Sequence, residues 1–263
     1  MRIARFTLPD VRGTEPRFGV VEGPEGDEVV AVIEGDPLYR PVERTGEELK
    51  LADVRLLAPV IPRSKVIGIG KNYRDHAAEM GGEAPPEPLM FIKPNTSVVG
   101  PDDAVVYPRQ SGNVHYEGEL AVVIGRICKD VPLERVGEVV LGYTVGNDVT
   151  ARDLQAGDGQ WSRAKGFDTF CPLGPWIETE IDPANLRLTT TVNGEVKQDG
   201  STADMVHDVA KLVAHASEAF TLLPGDVILT GTPAGVGPVQ PGDTMSVTIE
   251  GIGTLTNRVV ARD

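Results

Sequence analysis

Two carboxylates stand two residues apart in His115-Tyr116-Glu117-Gly118-Glu119-Leu120, at the root of the apolar run Leu120 to Ile124. A β-strand repeats every two residues, so Glu117 and Glu119 share one face while the apolar run continues toward the interior. Like charges confined there require a cation or a raised pKa. On an edge strand the same pair would simply face water. Asp148 is a third acid, placed where the apolar run Tyr143 to Gly146 breaks into a loop. Nothing in the spacing alone brings it to the glutamates.

His76 and Glu79 lie three apart in Asn72-Tyr73-Arg74-Asp75-His76-Ala77-Ala78-Glu79, a helical spacing at which a carboxylate orients an imidazole for general-base work. The same spacing also suits a weak contact on a solvated helix face. Gly81-Gly82 followed by Pro85-Pro86 reads as a flap with a stiff exit, which suits a lid. Arg152 and Gln155, again three apart, follow Asp148 and are suited to a carboxylate ligand, unless Asp153 or Asp158 claims the arginine. Lys165 falls in a loop of small residues, where a lysine is ordinarily solvated. Thr230-Gly231-Thr232-Pro233 ends a strand in a glycine turn. Its amides and the Thr232 hydroxyl suit an anion as readily as they suit a plain turn.

These residues need a frame, and the pattern around them is mostly strand. Runs at Arg2 to Thr7, Phe18 to Glu22 and Glu28 to Ile33 form a small opening unit, residues 1–58, with a short helix expected where Thr45 and Glu48 fit a capping box. Pro59, Ile61 and Pro62 mark the passage to a larger unit, residues 59–263. There, strands are expected at Lys65 to Gly70, Leu89 to Ile92, Ala104 to Tyr107, Val114 to Gly125, Gly142 to Asn147, Val227 to Thr230, Met245 to Glu250 and Thr254 to Val260. Asn193-Gly194 is a two-residue hairpin signal. Helices are expected at Leu133 to Val140 and about Met205 to Phe220. Strand pairs outnumber crossover helices, so the fold class is mixed α/β with β dominant, a sandwich or roll rather than a doubly wound sheet.

The chain has 263 residues and a formal charge of −14, a field that repels phosphate backbones and anionic headgroups. Nucleic acid and membrane surfaces are poor partners for it. The longest aliphatic run, Leu120 to Ile124, is far short of a span, and the amino terminus has no apolar stretch fit for a signal peptide. A cytoplasmic protein is the expectation. Cys128 and Cys171, the two cysteines, have no partner at metal-binding spacing and read as inert packing residues.

From residue 60 to 262 the motifs run in an order that resembles the fumarylacetoacetate hydrolase family. They are Gly70-x-Asn72-Tyr73-x-x-His76, Phe91-x-Lys93-Pro94, Glu117-x-Glu119 with the run Leu120 to Gly125, Asn147-Asp148-x-Thr150-Ala151-Arg152-Asp153, Lys165-Gly166-Phe167 and Thr230-Gly231-Thr232-Pro233-x-Gly235-Val236-Gly237. The resemblance implies that Glu117, Glu119 and Asp148 hold one divalent cation, Mg2+ or Mn2+. It implies that His76 and Glu79 form a lid dyad, that Lys165 joins them in catalysis, and that Tyr73, Arg152, Gln155, Gly231 and Thr232 touch substrate. The family's mixed β-sandwich roll and a homodimer are implied with them. Larger members take a fourth carboxylate from the strand before the histidine, whereas Val66 to Lys71 contains no acid. The chain is therefore similar to the smaller members: acylpyruvate hydrolases, oxaloacetate decarboxylases, and the isomerases and decarboxylases of homoprotocatechuate breakdown.

The chemistry of such a site favours a small anionic 2-oxo acid as partner. Three carboxylate oxygens leave a divalent cation about three positions for a chelating ligand and a water. Breaking the C3–C4 bond of a 2-oxo acid leaves a pyruvate enolate, which a cation stabilises by several kcal/mol. For an acylpyruvate, His76 would deprotonate an attacking water; for oxaloacetate, carbon dioxide leaves unaided; for an isomerase, the base moves a proton along the enol. Acylpyruvate hydrolysis and oxaloacetate decarboxylation stand first in this reading, with isomerisation of a 2-hydroxyhepta-2,4-diene-1,7-dioate-type substrate as the alternative. A non-catalytic metabolite-binding dimer is the alternative of another class, disfavoured because every catalytic position is filled.

Overall fold

The computed structural model describes residues 1–9, 15–24 and 26–262. Five strands open the chain: β1 (Arg2–Thr7), β2 (Arg17–Glu22), β3 (Val29–Ile33), β4 (Arg44–Lys50) and β5 (Arg55–Leu57). The segment with His76 follows as β6 (Val66–Gly70), α1 (Arg74–Glu79), β7 (Leu89–Lys93), β8 (Val98–Val99) and β9 (Val105–Tyr107). The acid-bearing segment is β10 (Val114–Tyr116), β11 (Gly118–Ile124), β12 (Val140–Asn147) and β13 (Thr150–Ala151), then α2 (Arg152–Asp158), α3 (Ser162–Gly166) and β14 (Cys171–Glu178). The remainder comprises β15 (Arg187–Val192), β16 (Glu195–Ser201), α4 (Val209–Ala219), β17 (Val227–Leu229), β18 (Gly237–Val239), β19 (Thr244–Ile249) and β20 (Gly253–Ala261).

Among the described residues the strands form three sheets. A twelve-stranded sheet runs β4-β3-β2-β1-β14-β12-β11-β17-β6-β7, with β5 on β1 and β8 on β14. Smaller sheets are β13-β10-β18 and β16-β15-β19-β20-β9. The opening strands are continuous with the large sheet, because β1 pairs antiparallel with β14 through Arg2↔Glu178 and Ile3↔Ile177. Antiparallel pairs dominate, and the fold is the mixed, β-rich class the pattern predicts.

The apolar run of β11 is uninterrupted because both faces of its sheet are covered. Leu120, Val122 and Ile124 point to one core, shared with Leu212, Val213 and Ala216 of α4 and with Leu188, Ile249 and Leu255 of the five-stranded sheet. Ala121 and Val123 point to the other, with Val66, Leu173, Ile177 and Leu229. Such a strand is fixed in register, since a one-residue slip would exchange the two faces.

Three local expectations are corrected. Thr45 and Glu48 cap no helix: Arg44–Lys50 is the edge strand β4, exposed except at Leu49, and it is held by backbone pairing with β3. Without an apolar helical stripe the capping pair has nothing to initiate. Leu133–Glu138 forms 3-10 turns after Pro132, and Val140 already begins β12. The long helix begins at Val209 rather than Met205, because Asp208 caps it by accepting from the Lys211 amide at 2.8 Å, while Met205 bridges to Tyr73. The hairpin stands as expected: Asn193 and Gly194 have φ of 52° and 82°, the mirror-image turn that suits twisted strands.

Candidate functional site

Glu117 occupies the break between β10 and β11. Its amide donates to Asn147 Oδ1 at 2.9 Å, and its carbonyl accepts from the Asp148 amide at 2.8 Å. Because β11 pairs with β12 as Gly118↔Asn147 and Glu119↔Gly146, the end of β12 delivers Asp148 beside both glutamates. All three carboxylates are buried, and each offers an oxygen within 4.8 Å of the others. Gly118 makes the packing possible: a Cβ there would lie 2.3 Å from Thr190 Oγ1.

Three buried cations neutralise this cluster. The Lys165 ammonium donates to Glu117 Oε2 and Asp148 Oδ2, each at 2.6 Å. Lys93, fully buried, donates to Asp148 Oδ1 and to the Phe170 carbonyl at 2.7 Å. Arg152 donates to Glu117 Oε1 and, across one helical turn, to Gln155 Oε1 at 3.0 Å. Burial alone would raise the Glu117 carboxyl, but Arg152 and Lys165 outweigh it and hold the group below the usual range. Burial would likewise lower Lys165, and Asp148 and Glu117 reverse it.

Glu119 differs. Among the described residues its Oε2 accepts only the Gly231 amide, at 2.7 Å, and burial together with the charges of Asp148 and Glu117 raises its pKa well above the usual value. Three hard oxygen donors, one of them short of positive charge, fit a divalent cation. The buried triad is consistent with such a site.

Helix α1 follows the end of β6. Asn72 fixes its root by donating to the Thr230 carbonyl at 2.8 Å and the His207 carbonyl at 3.0 Å, and by accepting from the His207 amide at 2.9 Å. On α1, His76 Nδ1 meets Glu79 Oε2 at 3.1 Å, and Glu79 Oε1 accepts from the Gly235 amide at 3.1 Å. Glu79 thus ties the imidazole to the glycine turn that also serves Glu119. Nε2 is left as the ring nitrogen without a protein partner among the described residues.

A pocket of about 440 Å³ joins these parts: His76, Glu117, Glu119, Arg152, Gln155, Lys165 and Thr232 line it. Lys165 is not a solvated loop residue but a buried one, on the short helix α3. Asp153 and Asp158 do not claim Arg152, being engaged by Ser111 and Arg163. Gly231 spends its amide on Glu119, and Thr232 donates its hydroxyl proton to the Gly118 carbonyl at 2.8 Å while accepting from Gln198 at 2.7 Å. Tyr73 does not line the pocket; it is buried, its hydroxyl has no partner among the described residues, and it borders a second hollow with Asp75 and Asp204. Sequence reasoning assigned no role to Lys93, Lys71, Asn113, His115 or Trp161. Only Lys93 left a signal, a lysine closing an apolar strand inside a quoted motif.

Comparison with known proteins agrees with this geometry. The family model described as fumarylacetoacetate (FAA) hydrolase C-terminal matches residues 65–260, three quarters of the chain. The chain belongs to the fumarylacetoacetate hydrolase family. A second model, Rv2993c-like N-terminal, matches residues 1–59. Within the family, the chain is 54% identical to protein Rv2993c of Mycobacterium tuberculosis, over 100% of this chain and 99% of that one. It is 46% identical to the oxaloacetate tautomerase YcgM of Escherichia coli, over 76% of this chain and 92% of the relative. The solved structure of a 5-carboxymethyl-2-hydroxymuconate delta-isomerase from Mycobacterium smegmatis superposes with a TM-score of 0.91 at 53% identity, covering 100% of both chains. These last two relatives are named as a tautomerase and an isomerase, whereas the sequence alone puts hydrolysis and decarboxylation first.

Proposed function

We propose that the protein is a divalent-metal-dependent isomerase or tautomerase of small 2-oxo acids, moving a proton between carbon and oxygen along an enol. The observation that carries this reading is a carboxylate-oriented imidazole, His76, lining one pocket with Glu117 and Glu119 of the buried triad that Asp148 completes. The names of the relatives support proton transfer over bond cleavage.

Glu117, Glu119 and Asp148 would hold Mg2+ or Mn2+, which when bound supplies a Lewis acid toward the 2-oxo group. Arg152 and Lys165, the buried cations that line the pocket, bind and orient the substrate carboxylate. His76 takes the C3 proton at Nε2, and Glu79 holds the ring in the tautomer with Nδ1–H. The C3 proton passes to Nε2 and the imidazolium returns it to the C2 oxygen, leaving the neutral imidazole and the enol; the reverse sequence regenerates the ketone. Ile69, Met80 and Trp161 add apolar surface to the lining, which favours proton transfer over attack of water on a carbonyl. A homodimer in the cytoplasm, with both thiols reduced, belongs to the same proposal, and sedimentation as a monomer at micromolar concentration would remove the dimer.

The test is a panel of oxaloacetate, acetylpyruvate and fumarylpyruvate with Mg2+ and with Mn2+. Enol absorbance is followed in parallel with release of pyruvate and carbon dioxide. Metal-dependent interconversion of enol and keto oxaloacetate without stoichiometric cleavage is the expected result. Cleavage of an acylpyruvate with no enol interconversion would overturn it and restore the hydrolase reading.

A further inference from the structure

One cation in the pocket is uncommitted. Arg152 and Lys165 donate to Glu117, and His76 is joined to Glu79. Lys71 also lines the pocket, is half-buried, and has no ion-pair or side-chain hydrogen-bond partner among the described residues. Its backbone has φ of 58°, in the left-handed region that glycine or asparagine occupies readily and a lysine does not. Strain of this kind persists where the surrounding fold enforces it, and it clusters at ligand sites. The effect here is to turn the side chain at the end of β6 toward the lid: a Cβ built on Gly82 would lie 2.9 Å from the Lys71 ammonium. The charge therefore sits against the double-glycine turn, in the same pocket that Glu117 and Glu119 line. Ile69, Met80 and Trp161 share that lining, and their low dielectric strengthens any ion pair formed there.

We propose that Lys71 is the specificity residue that receives the second, distal carboxylate of a dicarboxylic 2-oxo acid, and that it does so against the closed lid. The inference rests on the 2-oxo acid reading of the site and adds the chemical class of the substrate's far end. A monocarboxylic 2-oxo acid leaves this ammonium without a counter-ion inside the pocket. A diacid supplies one, and the charge-assisted bond also holds Gly81-Gly82 over the ligand.

The experiment measures affinity by calorimetry on the Mn2+-loaded protein, with 2-oxobutanoate as the monoacid and 2-oxoglutarate and 2-oxoadipate as diacids. KM and kcat for oxaloacetate interconversion are measured in parallel. The wild type is expected to prefer diacids, and Lys71→Met to reduce the diacid-to-monoacid affinity ratio by about 10- to 100-fold, the range for a hydrogen bond to a charged group. The oxaloacetate defect should lie mainly in KM. Lys71→Gly relieves the backbone, so it should melt no lower than wild type and yet lose the same preference, which separates recognition from a structural role. No diacid preference in the wild type, its retention in either variant, or equal losses for both acid classes would overturn the inference. If diacids bind with a Lys71-dependent preference while oxaloacetate is not interconverted, the proposed reaction fails and this inference stands.

Discussion

The opening strands and the pocket use the same side chains to opposite ends. Between β2 and β4, Arg17 pairs with Glu47 and Arg44 with Glu22 at the surface, with side-chain exposures of 33% to 54%. In and behind the pocket wall, Lys93, Lys165 and Arg152 pair with Glu117 and Asp148 at exposures of 8% or less. Water screens the first set, and such pairs contribute little. The second set has left water, so its value depends on every partner remaining in place. A surface pair can lose a member quietly; a buried cluster answers as a unit.

The comparison can be pressed hardest at Glu119. Glu119→Gln removes an anionic ligand, so metal retention and turnover should fall together, by about a thousandfold if several kcal/mol of cation stabilisation are lost. Metal content by atomic absorption beside the enol assay checks this, and full activity after chelation and dialysis would break it. His76→Ala should come next, lowering proton transfer about 10²- to 10⁴-fold while metal content stays at the wild-type level. Glu79→Gln should act in the same direction and more weakly, since the imidazole remains and loses only its orienting charge.

Stability effects follow. Lys93→Met leaves Asp148 buried with one cation fewer, at about 3–5 kcal/mol, or roughly 6–20 °C in Tm for a chain of this size. Added Mn2+ should recover part of that loss; a Tm equal to wild type would mean that the buried cluster is no more coupled than the surface pairs. Chelating the metal from the wild type should lower Tm, the stability lost by linkage being about 2.7 kcal/mol when the free cation was at a hundred times its Kd. Arg17→Ala is the smallest perturbation and should leave Tm and turnover where they are. A large drop there would erase the distinction between the two regions.

The parts of this structure legible in the sequence are those whose cause is local. Asn193-Gly194 announces its turn because both residues tolerate positive φ, and the run Leu120 to Ile124 announces a doubly covered strand. Thr45 and Glu48 misled because a capping pair says how a helix would begin, not whether pairing with β3 is stronger. His76 and Glu79 were visible as a spacing, and the structure adds the Gly235 latch that no spacing encodes. Lys93 and Lys165 were the least legible. A lysine is buried only because acids distant in sequence meet it, and that information lies in the register of β11 against β12 rather than near either lysine. The family motifs carried Lys165 into the site where composition alone would have left it in water.

The strand order has a consequence for how the chain comes into being. The β6–β7 hairpin, which carries the lid, joins the rest of its sheet only through β17, three residues near the end of the sequence that lie between β6 and β11. As the chain leaves the ribosome, the lid hairpin and the acid-bearing strands are both made before the piece that links them. Until residues 227–229 emerge, the nascent polypeptide has no continuous central sheet, and Gly231 is not there to meet Glu119. Assembly of the pocket is thus a late, non-local event of the kind that folds slowly. A chain stopped short of β17 would hold nearly all of the candidate site residues and lack the strand that joins the His76 segment to the acids.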